Sequence, residues 1–64
     1  SLADLRSSLI ANPRNSDALF RLYELYYAKQ DYRKAQYYLK QVVAINSNDS
    51  SFKKLNEALT KLIQ

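Results

Sequence analysis

The sequence predicts an all-α fold of about four helices packed as antiparallel neighbours. Three observations predict it. Apolar residues recur at spacings of three and four along most of the chain, the repeat of one helix face. Breaker residues gather in only three short runs: Asn12-Pro13-Arg14-Asn15-Ser16, Lys29-Gln30-Asp31 and Asn46-Ser47-Asn48-Asp49-Ser50-Ser51. The composition carries 47% apolar residues, one proline and no glycine, which leaves few places where a helix must stop.

The first segment sets Leu2, Leu5, Leu9 and Ile10 at helical spacing. The second carries Leu19, Leu22, Tyr23, Leu25 and Tyr26, with Asn15 or Ser16 as its cap, because a short side-chain oxygen accepts from the free amides of a first turn. Asp31 plays that part for the third segment, whose apolar positions are Tyr32, Ala35, Leu39, Val42 and Val43. Val42-Val43 is the one strand-like pair, and it falls inside a helical pattern. The fourth segment reads Phe52, Leu55, Ala58, Leu59, Leu62 and Ile63, a single amphipathic stripe opposed by Lys53, Lys54, Asn56, Glu57 and Lys61. Connections this short imply antiparallel neighbours.

Sixty-four residues make one domain at most, and a chain of this length buries only about 60% of the surface it exposes when unfolded. The residue inventory argues against an enzyme. Without cysteine there is no thiolate and no disulfide, and without histidine the commonest general base and metal ligand are gone. Without glycine there is no phosphate-cradling loop and no nucleophile elbow. Asp17, Glu24 and Asp31 fall along one line, yet nothing in the sequence would perturb their acidity or place a substrate beside them. No catalytic residue, metal or cofactor is expected. Ten basic against six acidic residues give a net charge of +4, which permits an anionic partner without arguing for one. No apolar run approaches the roughly 20 residues that span a bilayer, and no signal peptide is legible. The first residue is Ser1 rather than Met, so the chain is expected to begin inside a longer product, a processed or engineered start being the other readings.

The chain repeats itself at an offset of 34. Leu5 falls on Leu39, Arg6 on Lys40, Leu9 on Val43 and Ala11 on Ile45. Asn12 falls on Asn46, Asn15 on Asp49, Ser16 on Ser50 and Leu25 on Leu59. The agreement sits at apolar and capping positions, where a structural repeat would force it. Within this period the sequence resembles the tetratricopeptide repeat. That family's pattern of Trp-x2-Leu-Gly-x2-Tyr, Ala-x3-Phe and Pro is met here by Leu19-x2-Leu22-Tyr23-x2-Tyr26, Ala35-x3-Leu39 and Ser47. Tyr23 stands where the family usually has a small residue, which leaves two outcomes: a splayed hairpin, or a ring lying along the groove. Gln30 replaces the turn glycine, so a non-glycine residue is expected in a left-handed conformation. A looser likeness, to the C-terminal repeat region of bacterial thioredoxin-like co-chaperones, rests on Asn12-Pro13 before the repeat and an Asn48-Asp49-led basic helix after it.

The resemblance implies a right-handed solenoid fragment: the second helix of a preceding repeat at 2–11, one full repeat at 16–46 and a terminal capping helix at 50–63. It implies a cytoplasmic, non-catalytic protein-interaction module that binds a peptide or partner protein on its concave face. Carried over position by position, the partner-binding residues are Asp17, Phe20, Arg21, Glu24, Tyr27 and Ala28. Carboxylates there would favour a partner with basic residues. They also stand where the family's clamp for a terminal carboxylate would need basic or amide groups. The charges have an equally ordinary reading as a solvated face. Phe20 and Tyr27 read first as binding surface and second as packing against a neighbouring element.

Two alternatives remain open. Leu2, Leu5, Leu9 and Ile10 could form an apolar edge that a second copy or an adjoining domain covers, giving a homodimer in the first case. Tyr37 and Tyr38 lie among Arg33, Lys34, Gln36, Lys40 and Gln41, a pattern able to stack on nucleic acid. A solvated convex helix using tyrosine at a helix contact accounts for the same residues, and nucleic acid is not the expected partner. Neither a small-molecule substrate nor a membrane is expected.

Overall fold

The computed structural model describes all 64 residues as four helices and no strand. They are α1 (Leu2–Ala11), α2 (Ser16–Ala28), α3 (Tyr32–Ile45) and α4 (Ser50–Ile63). Each helix packs its backbone on its sequence neighbours alone, α1 on α2, α2 on α3 and α3 on α4. The result is a slab of 32 × 28 × 12 Å. In so thin a body only nine residues are buried, and eight of them form one continuous core.

Capping residues start every helix. Side-chain oxygens of Ser1, Asn15, Asp31 and Asp49 accept from Asp4 N, Ala18 N, Lys34 N and Ser51 N. Of the two candidates before α2, Asn15 is the cap. The two loops that stand 34 residues apart in the sequence are built alike. Asn12 N donates to Ser8 O and Asn46 N to Val42 O, while Asn15 N donates to Asn12 O and Asp49 N to Asn46 O. The internal repeat is therefore a repeat of backbone hydrogen bonding as well as of residue type.

The turn between α2 and α3 is tighter. Gln30 N donates to Tyr27 O and Asp31 N to Tyr26 O, both at 2.9 Å, the paired bonds that close a helix through a left-handed residue. That residue is Gln30, at φ 61°, as its place in the pattern predicts.

The core is the face shared by α2 and α3. Leu19, Leu22, Tyr23 and Tyr26 meet Ala35, Leu39 and Val42, and α4 adds Leu59. Val42 is helical and buried. The Tyr26 and Tyr38 rings stack with planes 8° apart and centroids 5.7 Å apart, worth about 1 kcal/mol beyond their burial.

The α4 stripe is narrower than its sequence suggests. Leu59 is buried and Phe52 and Ile63 are half-buried, but Leu55 is 38% and Leu62 51% exposed. Asn56, placed by its polarity on the solvent face, instead turns toward α3. There Gln36 Nε2 donates to Asn56 Oδ1 at 3.1 Å and to Thr60 Oγ1 at 2.8 Å. The α3–α4 contact is thus part leucine packing and part side-chain hydrogen bonding. On α1, Leu2, Leu5 and Leu9 turn in against the core, so the open edge expected there shrinks to Ile10, which is 84% exposed.

Candidate functional site: the furrow between α2 and α4

α2 and α4 run in the same direction. Their N-terminal halves meet through Phe20 and Phe52, and the end of α4 reaches the turn after α2, where Leu62 and Ile63 lie beside Gln30, Asp31 and Tyr32. No Cα of one helix comes within 8 Å of the other, so a furrow separates them. Aromatic rings line it. Phe52, Phe20, Tyr23, Tyr27 and Tyr32 form an unbroken chain with centroids 5.5, 5.1, 5.8 and 5.3 Å apart.

Four of the six positions singled out from the sequence converge here. Phe20, Glu24, Tyr27 and Ala28 line a hollow of about 310 Å³ together with Tyr23 and Leu55. Phe20 is half-buried, because its ring also meets Phe52 edge-on. Tyr27 is 42% exposed and closes one side of the hollow. Tyr23 takes the second of its two outcomes: its ring lies along α2 between those of Phe20 and Tyr27. Burial pushes the Tyr23 hydroxyl above its ordinary pKa, and Tyr27 and Glu24 push it further.

Asp17 and Arg21 stand apart from the hollow and bind each other, Arg21 Nε donating to Asp17 Oδ2 at 3.2 Å. Both are exposed, and a pair of this kind contributes a few tenths of a kcal/mol. Arg21 and Glu24 border a second hollow, against Leu2, Leu5 and Leu25. Glu24 lies on the ridge between the two and makes no ion pair.

Leu55 is the furrow residue that reading α2 alone passes over. Its signal was present in the sequence, since it completes the α4 stripe, but that stripe reads equally as core. The widest hollow, near 590 Å³, has no comparable standing. It is the inside of the α3–α4 loop, lined by six consecutive residues from Ile45 to Ser50. Nor do the carboxylates of Asp17, Glu24 and Asp31 converge as a metal-binding group. Tyr38, one of the two tyrosines on the basic helix, spends a ring face on Tyr26, and Tyr37, edge-on to Tyr38, is the more open at 64% exposure.

Comparison with known families decides what kind of unit this is. The sequence matches the tetratricopeptide repeat family over residues 2–59, nearly the whole chain. The chain belongs to the tetratricopeptide repeat family. No curated protein and no solved structure matches it. As in tetratricopeptide repeats generally, its helices form an all-α repeat fragment of a kind that mediates protein–protein interaction. No helix is long and apolar enough to cross a membrane.

Proposed function

We propose that the chain is a non-catalytic interaction module that holds a peptide or a segment of a partner protein in the α2–α4 furrow, its concave face. One observation carries the reading. Exposed apolar groups from two helices, Tyr27 of α2 and Leu55 of α4, open onto one hollow whose only charge is the unpaired Glu24. Apolar surface of this kind gains by being covered, and an unpaired carboxylate on its rim favours a basic residue in whatever covers it. In this reading α1 is the second helix of a preceding repeat, α2 and α3 form the full repeat, and α4 caps it. The polar hollow of Asn56, Glu57, Thr60, Lys61 and Gln64 along α4 supports the cap, because a helix awaiting another partner there would present leucines.

The test is selection of displayed peptides on the intact chain, followed by rebinding to a Tyr27→Ala/Leu55→Ser variant whose helicity is checked by circular dichroism. The variant should fold and lose most of the selected binders. Equal retention on both proteins would remove the furrow as the site.

A further inference from the structure

Four rows of side chains run along the furrow, and each recurs at the same interval. On α2 they are Asp17 with Glu24 and Phe20 with Tyr27; on α4 they are Leu55 with Leu62 and Lys54 with Lys61. Every pair is seven residues apart, two helical turns, so each row stays on one face while the helix advances about 10 Å. The rows are ordered across the furrow as well. At about 100° per residue, Leu55 and Leu62 stand between buried Leu59 on the core side and Lys54 and Lys61 on the far side. On α2, Phe20 and Tyr27 stand between Tyr23, on the α3 side, and Asp17 and Glu24, which border the side facing α1. Passing from α1 toward the outer rim of α4, the surface is acidic, then aromatic, then aliphatic, then basic. Arg21 is already held by Asp17, whereas Glu24, Lys54 and Lys61 make no ion pair.

We infer that the occupant of the furrow is an amphipathic α-helix lying nearly along α2 and α4, with an apolar seam of seven-residue repeat flanked by a cationic edge and an anionic edge. The inference rests on the furrow being the binding site. A helix fits because side-chain rows recurring every two turns are what a second helix meets at a shallow crossing angle. An extended strand, repeating every two residues, would pass over the rows without register. The two edges must differ in sign because the two rims do. Edge charges set partner choice and direction in such contacts, so the sign difference also fixes which way the bound helix runs, its basic edge against Glu24 and its acidic edge against Lys54 and Lys61.

The experiment uses three lactam-bridged helical peptides of 14 residues, the length of α4, with one common leucine and phenylalanine seam. The first carries lysine on one edge and glutamate on the other, the second lysine on both, the third glutamate on both. Fluorescence anisotropy at low salt should show the mixed-edge peptide binding about fivefold tighter than the others, the scale of two or three rim-exposed ion pairs. Glu24→Lys and Lys54→Glu/Lys61→Glu should each abolish that preference. The triple variant Glu24→Lys/Lys54→Glu/Lys61→Glu should restore it, with the peptide reversed in direction. Equal or tighter binding of the all-lysine peptide would overturn the inference while leaving the furrow as a site. No binding of any of the three would overturn the furrow reading together with it.

Discussion

Phe20 sets its ring edge-on against Phe52, with centroids 5.5 Å apart and planes at 64°, and this is where α2 and α4 touch across the furrow. The contact joins two helices whose backbones stay apart, so a ring that lines the candidate hollow also holds the last helix in place.

Phe20→Ala should therefore destabilise the fold by about 2 kcal/mol, a half-buried share of what loss of a core phenylalanine costs. For a chain this small that is a large fraction of its stability. Tyr27→Ala, at a more exposed position, should cost less than about 1 kcal/mol. Urea unfolding of both variants measures the difference. A double-mutant cycle of Phe20→Ala with Phe52→Ala should give a coupling of about 0.5–1.5 kcal/mol. Zero coupling would mean that the two rings contribute independently and that their contact does not hold α4 on α2.

Gln36 is the polar counterpart of that contact. Its amide donates to both Asn56 and Thr60, and the Thr60 hydroxyl passes the chain on to Asn56 O at 3.0 Å. Gln36→Ala should lose about 1–2 kcal/mol, since it removes two hydrogen bonds and leaves their partners half-buried. The effect should be local. Amide exchange should quicken in α4 more than in α2, because α4 packs its backbone on α3 alone whereas α2 packs on both α1 and α3. Uniform quickening across all four helices would show that α4 does not open as a separate unit.

Alkaline pH should act through two tyrosines. Burial raises the hydroxyl pKa of Tyr23 and of Tyr38 above the ordinary 10.0; Tyr27 and Glu24 add to the effect on Tyr23, while Tyr26 and Tyr37 add to it on Tyr38 against an opposing pull from Arg6. Above pH 10 the unfolded chain releases these protons and the folded one keeps them, so the unfolded state binds fewer protons and stability falls as pH rises. Below pH 10 the two groups contribute no pH dependence. Tyr23→Phe and Tyr38→Phe should each flatten the fall above pH 10 without changing the curve near neutrality. Unfolding curves that decline with the same slope in wild type and variants would show that neither hydroxyl is held protonated by the fold.

The helices and their caps were legible because their causes are local. Asn15, Asp31 and Asp49 lie immediately ahead of amphipathic runs, and a cap needs only the amides that follow it. The 34-residue offset was legible for a related reason, since it rests on the same loop bonds made twice. What the chain order hides is how one face is divided among neighbours. The α4 stripe has a single period, yet α3 takes Leu59 and leaves Leu55 and Leu62 open. Asn56 reads as solvated until Gln36, twenty residues away, supplies its donor. Leu2, Leu5 and Leu9 read as an open edge until α2 covers them. Candidate site residues on α2 could be carried over from a family pattern, whereas Leu55 required knowing which side of α4 the packing leaves bare.

Gln30 offers a gain of stability rather than a loss. At φ 61° it holds a left-handed conformation in which its Cβ is crowded, and glycine has no Cβ to crowd. The turn needs that conformation, because Gln30 N and Asp31 N reach back to Tyr27 O and Tyr26 O only through it. Gln30→Gly should keep both bonds and relieve the strain, a net stabilisation of about 0.5–1 kcal/mol once the greater freedom of glycine in the unfolded chain is subtracted. For a domain this size that corresponds to a rise in Tm of a few degrees, roughly 2–8 °C. Gln30→Val should do the opposite and lower Tm, since a β-branched side chain tolerates positive φ worst. The two variants measured side by side isolate the backbone effect, because the residue is exposed and neither change removes buried contact. Equal Tm values for glycine and valine at this position would mean that the turn opens without cost and that the left-handed geometry is not what stops α2.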